Sequence, residues 1–467
     1  MTIVKKIKRK RKRIKRTFSI IKKSNLDFFN KIFRILSWLL PGLVLKRWIV
    51  TSAIGLITSL LGIAIWTNLR PLYWLIETFF WLMTGLTSIF PVGILGPFIL
   101  FIGLLLICLG QNRSINSIQK ALVPQKETLL VDALRVNSKL SRGPNIVAIG
   151  GGTGLSTLLK GLKNYSSNIS AIVTVTDDGG SSGILRKQLG VQPPGDIRNC
   201  LAALSNEEPT LTRLFQYRFS GGGGLEGHSF GNLFLSALTT ITGSLEKAVQ
   251  ASSQVLSVQG QVIPATGIDV MLWAELEDGE KIFGESLIGK SVKPISRIGC
   301  LPENPPALKN AIEAIKEADL IVLGPGSLYT SLLPNLLVPE IVEELLKNNS
   351  PKIYISNLMT QPGETDGLDV YQHIKSIEKQ LFNFGVNTRI FNAILSQGEF
   401  EGSSLIDYYR SRGAEPVICN KKRLVSEGYH VLQAPLYSKR ITPTLRHDYR
   451  RLARAVMYLY KKIKKAN

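Results

Sequence analysis

Cysteine is scarce in this chain. There are four in 467 residues, Cys108, Cys200, Cys300 and Cys419, far apart and without a CxxC pair. Neither a disulfide framework nor a cysteine-ligated zinc site is indicated, and the usage suits a reducing compartment. Histidine is as sparse: His228, His373, His430 and His447 stand alone, with no metal-ligand spacing among them. Acidic residues are outnumbered, 34 against 57 Lys and Arg. The excess is confined to two tails. Residues 1–47 hold sixteen Lys/Arg and one Asp, and residues 439–467 hold ten and one, which leaves 31 basic and 32 acidic residues between them. A nearly neutral body removes most of the case for a general nucleic-acid binder.

Charge is missing altogether from two stretches. Trp48–Trp66 is nineteen residues long and uncharged, enough to cross a hydrocarbon core of ~30 Å, and 90–109 is a second such stretch. The segment between them is rich in aromatics and interrupted by Glu77. The leader KKIKRKRKRIKR (residues 5–16) also fits nuclear import or RNA binding, but ahead of an apolar stretch it predicts a cytoplasmic N-terminus and contact with anionic lipid. Lys and Arg after the second stretch place that flank inside too, so we expect two spans, with 67–89 an interfacial or re-entrant hairpin. No small-residue cleavage site follows the first apolar run, which argues against a signal peptide. The expected organisation is a basic leader at 1–47, a membrane region at 48–110, a linker at 111–143 and a cytoplasmic domain at 144–467. The expected location is a bacterial-type plasma (inner) membrane.

From Pro144 onward short β-rich runs alternate with helical patterns, which predicts an α/β fold: a Rossmann-like, mostly parallel sheet with helices on both faces. Candidate strands are Ile169–Val175, Asp319–Gly324, Lys352–Asn357 and Thr388–Leu395. Candidate helices are Gly154–Asn164, Val338–Lys347 and Asp369–Phe382. Residues 196–256 are mostly helical by pattern. Ile268–Ile288 alternates around Asp278-Gly279, a hairpin signal for an antiparallel addition. Leu445–Lys465 predicts an amphipathic helix with its apolar face on the body and its lysines toward a membrane.

The chemistry-bearing stretch is Asn145–Asn199. A buried strand runs into Gly150, Gly151, Gly152, Thr153 and Gly154, and a helical pattern follows. That order leaves backbone N–H groups and a positive helix end free for an anion, although a plain tight turn uses the same glycines. Leu155 stands where a third spaced glycine would fall, and no Lys-Ser/Thr follows, so neither the dinucleotide fingerprint nor the P-loop is complete. Asp177, Asp178, Gly179, Gly180, Ser181, Ser182 and Gly183 follow the next strand. Paired carboxylates there suit Mg²⁺ or ribose hydroxyls, the serines and Arg186 suit phosphate, and the bland account is a helix-capping turn. Gly195 and Asp196 open another helix, with Arg198 and Asn199 in its first turn. A cation at a helix N-terminus is electrostatically misplaced unless an anion binds nearby. His228 and Asn232 lie in a further glycine turn. Gly324, Pro325, Gly326 and Ser327 end another strand in the same manner. Asn357, after the strand KIYIS, offers a donor and an acceptor that suit a nucleobase edge or pin a loop.

GGGTG, DDGGSSG, PPGDIRNCLAAL, GHSFGN and GPGSLYTSLLPN, in this order over about residues 144–440, resemble the gluconeogenesis factor (YvcK-like) family. That family is related to 2-phospho-L-lactate transferase (CofD-like). The resemblance implies a nucleotide-diphosphate ligand and homo-oligomerisation. In one branch it implies a UDP-sugar such as UDP-N-acetylglucosamine, no required cofactor, and control of cell-wall synthesis, cell shape and carbon metabolism. In the other it implies a transferase that uses Mg²⁺, for which Asp177 and Asp178 are the candidate ligands. Expected partners are the UDP-sugar, membrane lipid through two spans and basic tails, a second copy of the chain and cell-wall synthesis proteins, with no specific nucleic acid.

Overall fold

The computed structural model describes residues 44–66, 70–89, parts of 91–110, and 138–466 apart from 207–208, 292, 401–403 and 438–444. The chain divides into two units, Met1–Ser138 and Lys139–Asn467. In the first, α1 (Val44–Trp66) and α2 (Arg70–Ile89) are long helices. α2 is one continuous helix, so the hairpin expected over 67–89 does not form. Among the described residues no helix is long and apolar enough to cross a membrane. The described side chains of α1 begin only at Ile54, and Arg70 and Glu77 interrupt α2. Two crossing helices are therefore unsupported here. Most of the basic leader and of the linker lies outside the described residues.

The second unit is built on a sheet whose strands are short and, away from its β10 edge, mostly buried. They are β1 (Ile146–Gly150), β2 (Ile169–Val173) and β3 (Gln261–Pro264), and later β7 (Leu320–Leu323), β8 (Lys352–Ile355), β9 (Ala393–Gln397) and β10 (His430–Ala434). All pair in parallel in the order β10-β9-β8-β7-β1-β2-β3. β-Branched residues favour the pleat, and burial on both faces explains why the central strands β1 and β7 are apolar, whereas the edge strand β10 is open and carries His430 and Gln433. Alternation divides them between two cores. Ile146 and Ala148 meet Leu155 and Leu158 on one face, whereas Val147 and Ile149 meet Leu332, Ile341 and Ile374 on the other.

The helices that follow β1 and β2 are α3 (Gly152–Leu162), α4 (Gly180–Leu189) and α5 (Gly195–Leu204). Pro209–Phe215, α6 (Phe230–Thr242) and Leu245–Val255 complete the helical insertion expected at 196–256. The hairpin expected near Asp278-Gly279 forms as β4 (Met271–Leu276) and β5 (Lys281–Phe283). It is a correction to its placement that β4 also pairs β6 (Ile295–Leu301), making a separate three-stranded antiparallel sheet rather than an extension of the main one. The short helix α7 (Glu285–Ile288) joins β5 to β6. The strand expected at Thr388–Leu395 begins only at Ala393, because its first residues form the approach loop.

The chain ends in α8 (Tyr449–Ala466), whose Leu452, Ala453, Val456, Leu459 and Ile463 are buried against the body as its periodicity predicts. α8 meets α3 backbone to backbone: a Cβ on Gly161 would lie 2.1 Å from the Tyr449 carbonyl oxygen and 2.7 Å from Ala453 Cβ. Gly161→Leu should therefore force the helices apart and cost ~1–3 kcal/mol or more. Urea unfolding checks this, and an unchanged midpoint would mean that the contact is loose.

Candidate functional site

β1 and β7 are neighbours from which the chain departs in opposite directions, β1 toward β2 and β3, β7 toward β8, β9 and β10. Such a switch point leaves a crevice at the carboxyl ends of the two strands, because their following helices go to different sides. Here the crevice is a cleft of about 280 Å³ lined by Gly151, Gly152, Thr153 and Gly154 after β1 and by Pro325, Gly326 and Ser327 after β7, with Asn357, Thr360 and Gln361 after β8. Gly151, at the N-cap of α3, has no side chain to cap the helix, and the Gly152 N–H is taken by the Asp196 carboxyl. A Cβ on Gly154 would stand 2.2 Å from the Pro325 carbonyl oxygen, so glycine there lets the two loops close on each other.

The Gly326 N–H donates to Asn357 Oδ1 (3.3 Å), Asn357 Nδ2 donates to Gln361 Oε1 (3.3 Å), and Gln361 Nε2 donates to Ser327 Oγ (2.8 Å). Asn357 thus pins the β7 loop to the β8 loop, the second of its two expected roles. Behind the loop, Thr330 donates to the buried Glu364 at 3.3 Å, and burial raises the Glu364 carboxyl to about 7.

Beside the cleft stands a group of carboxylates that the sequence divides among distant segments. Asp196, in the first turn of α5, accepts the Gly152 N–H, and burial followed by Asp177 raises it to about 7. Glu285 arrives from α7. Burial, then Asp177, Asp196 and Asp178, raise it to about 9, and it shares a hydrogen bond with Asp177. Nothing local in the sequence marks Glu285, since only the folding of the small sheet brings it here. Asp177 and Asp178 do not act as one pair. Asp177 Oδ1 accepts the Gly179 N–H at 3.0 Å, whereas Asp178 Oδ1 accepts the Ser286 N–H at 2.7 Å. Among the described residues no three acids, histidines or cysteines are placed to share a metal ion. Asp177 and Asp178, the expected Mg²⁺ ligands, are each engaged with a backbone N–H.

On the far side of Asp196 lies a polar network. Asn232 Nδ2 donates to Ser181 Oγ (3.1 Å) and Ser182 Oγ (3.4 Å), and Ser181 Oγ meets His228 Nδ1 at 3.0 Å. All four side chains are buried. Ser229 caps α6, so GHSFGN is at once a helix start and a clamp on the DDGGSSG turn, where Gly180 opens α4. Arg198 donates to Ser229 and to Asn199 Oδ1 (2.8 Å), while its Nε is buried without a partner. Burial and Arg218 lower its pKa, opposed by Asp177 and Asp196.

Two expected residues stand apart. Arg186 donates to Asp269 Oδ2 (3.0 Å) and to the Val270 carbonyl, so its fork is turned to the segment before β4 and away from the cradle. Gly324 ends β7 at φ +85°, shaping the loop without lining the cleft. Conversely, Tyr409, Arg446 and His447 line the cleft unforeseen. The available signal was the consecutive Arg446-His447-Asp448 ahead of the last helix.

Glu285 and Asp196 keep their protons to about 9 and about 7 in the fold, against ordinary values of 4.5 and 3.8. Across that window the folded state binds more protons than the unfolded state, so their contribution makes stability fall as pH rises. Glu285→Gln keeps a hydrogen bond to Asp177 without the titration. Its melting temperature should gain on the native protein steadily from pH ~5 to ~9. Parallel melting curves would show that Glu285 ionises freely.

A family model described as 2-phospho-L-lactate transferase CofD matches residues 146–437. The gluconeogenesis factor of Bacillus subtilis is 45% identical over 322 residues, covering 69% of this chain and 100% of that protein. A Nostoc sp. protein assigned to the same factor is 50% identical over 423 residues, covering 91% of this chain and 92% of its own length. The Nostoc match is longer than the 329 residues from Lys139 to Asn467, so it includes part of the first unit. A crystal structure of a UPF0052-family protein from Bacillus halodurans has a TM-score of 0.64 at 44% identity, covering 68% of this chain and 99% of that one. With the glycine turns, the switch-point cleft and these matches in agreement, the chain belongs to the gluconeogenesis factor family of the CofD-like superfamily.

Proposed function

We propose that the chain is a nucleotide-sugar-binding regulator. Its cradle holds the diphosphate of a UDP-sugar such as UDP-N-acetylglucosamine, and occupancy controls cell-wall synthesis, cell shape and carbon metabolism without turnover of the ligand. One observation carries the reading: the glycine turn at the start of α3, where Asp196 accepts the Gly152 N–H, faces the Gly326-Ser327 loop across the cleft. Backbone N–H groups at a helix start suit a diphosphate. Arg198 supplies the cation through its unpartnered Nε. The protonated Glu285, and Asp196 titrating near 7, lessen the repulsion that four ionised acids would exert on that anion. Ser181 and His228 are spent on holding the DDGGSSG turn, which favours binding over nucleophilic chemistry. The competing reading is a Mg²⁺-dependent transferase acting on a guanosine-linked diphosphate. It is supported by the description of the matching family model alone.

Titration calorimetry separates the two. UDP-N-acetylglucosamine should bind without added metal, and Arg198→Ala should weaken binding by ~1.5–3 kcal/mol, the worth of a hydrogen bond to a charged group. Unchanged affinity would remove Arg198 from the site. Turnover of a guanosine diphosphate ligand that requires Mg²⁺ would replace the regulator with the transferase.

The same proposal attaches the protein to the plasma (inner) membrane through its first unit, with the α/β domain on the cytoplasmic side near cell-wall synthesis proteins and assembled as a homo-oligomer. Its support is the basic leader, the uncharged Trp48–Trp66 stretch, and exposed apolar side chains such as Ile54, Leu56, Leu60, Trp74 and Phe80. After alkaline washing, the full chain should remain with the membrane fraction and residues 139–467 should not. Release of both would refute attachment by the first unit.

A further inference from the structure

α8 has a second face. From Arg450 to Lys465 it carries Arg450, Arg451, Arg454, Lys461, Lys462, Lys464 and Lys465 and no acidic residue. Arg450, Arg454, Tyr458, Lys461 and Lys465 follow one another at helical spacing, so they form a single outward row, and all five are exposed. The row is about 22 Å long at 1.5 Å per residue. Among the described residues none of these cations forms an ion pair. Arg450 and Lys464 donate to the Tyr449 and Tyr460 hydroxyls and lie over those rings, and Asp319 is near enough to Lys464 to help raise its pKa. Arg186, Arg297 and Lys293, elsewhere in this domain, do meet carboxylates. Tyr458, in the middle of the row, is 59% exposed, an aromatic of the kind that settles at the headgroup level of a bilayer.

We propose that this row is a lipid-contact surface that lays the α/β domain against an anionic bilayer through phosphate headgroups. The inference rests on the membrane attachment proposed above and deepens it with a second point of contact. Charge complementarity selects the occupant. The row is straight and unpaired, while the rest of the domain is close to neutral. A folded nucleic acid is usually gripped by a broader basic surface, whereas a flat anionic sheet needs only one line of cations. The buried side of the same helix is anchored to the body, so the row is presented rigidly instead of being formed on binding.

The test uses residues 139–467. Relatives made of this unit alone exist, and one has been crystallised, so the unit folds by itself. Co-sedimentation with vesicles of equal phosphatidylglycerol and phosphatidylcholine should be strong, lost with pure phosphatidylcholine, and reversed by salt. Arg450→Glu, Arg454→Glu, Lys461→Glu and Lys465→Glu together should lower partitioning about tenfold or more, with the melting temperature and nucleotide affinity unchanged. Reversing four exposed lysines elsewhere, Lys187, Lys290, Lys347 and Lys379, should have a much smaller effect. Equal loss in the two sets would overturn the proposal by reducing it to net charge. Failure to bind anionic vesicles would also overturn it, as would retention on RNA in place of vesicles. None of these outcomes bears on the alkaline-wash test of the first unit, so the two can fail separately.

Discussion

The adjacency of β1 and β7 is the constraint on which the rest depends. Two parallel strands whose connections leave on opposite sides cannot fill the space between their carboxyl ends with their own helices. Gly154 and Pro325 meet across that space at the closest distance a residue without Cβ permits. The cleft, the glycine start of α3 at its edge and the Asn357–Gln361–Ser327 chain of hydrogen bonds all depend on this one topological fact. Replacing the loops would change the ligand; changing the strand order would abolish the site.

A second theme is electrostatic economy. Four carboxyl groups, Asp177, Asp178, Asp196 and Glu285, crowd together beside the cleft. Their mutual repulsion is met in different ways. Asp178 is tied to the backbone at Ser286, Glu285 keeps its proton, and Asp196 titrates near neutrality while accepting the Gly152 N–H. Arg198 opposes them from the start of α5. Its cation sits at a helix end that disfavours it, and it is held there by Ser229 and Asn199.

Much of this was legible in the sequence, and the boundary of legibility has a physical cause. The glycine turns, the Asp177–Gly183 turn, GHSFGN and GPGS are local: glycine after an apolar run signals a strand-end loop whatever the surroundings. Long-range arrivals carry no such mark. Glu285 opens the short helix between two strands of a small sheet whose placement no local pattern encodes, and Tyr409 and Arg446 reach the cleft only because the chain returns from β9 and β10. Arg186 shows the complementary limit. Its partner in the fold, Asp269, lies 83 residues on, and no local pattern announces it. Asn357 was legible as a site residue but not in its role, because the choice between a base edge and a loop pin depends on Gln361 lying opposite.

The close approach at Gly161 has a mechanical meaning. α3 is eleven residues long, about 16 Å. One end forms the floor of the cleft, and the other touches the main chain at the start of α8 with no side chain between them. A helix of that length is stiff. The glycine turn of the cleft and the start of the outward basic row therefore lie at the two ends of one short helix.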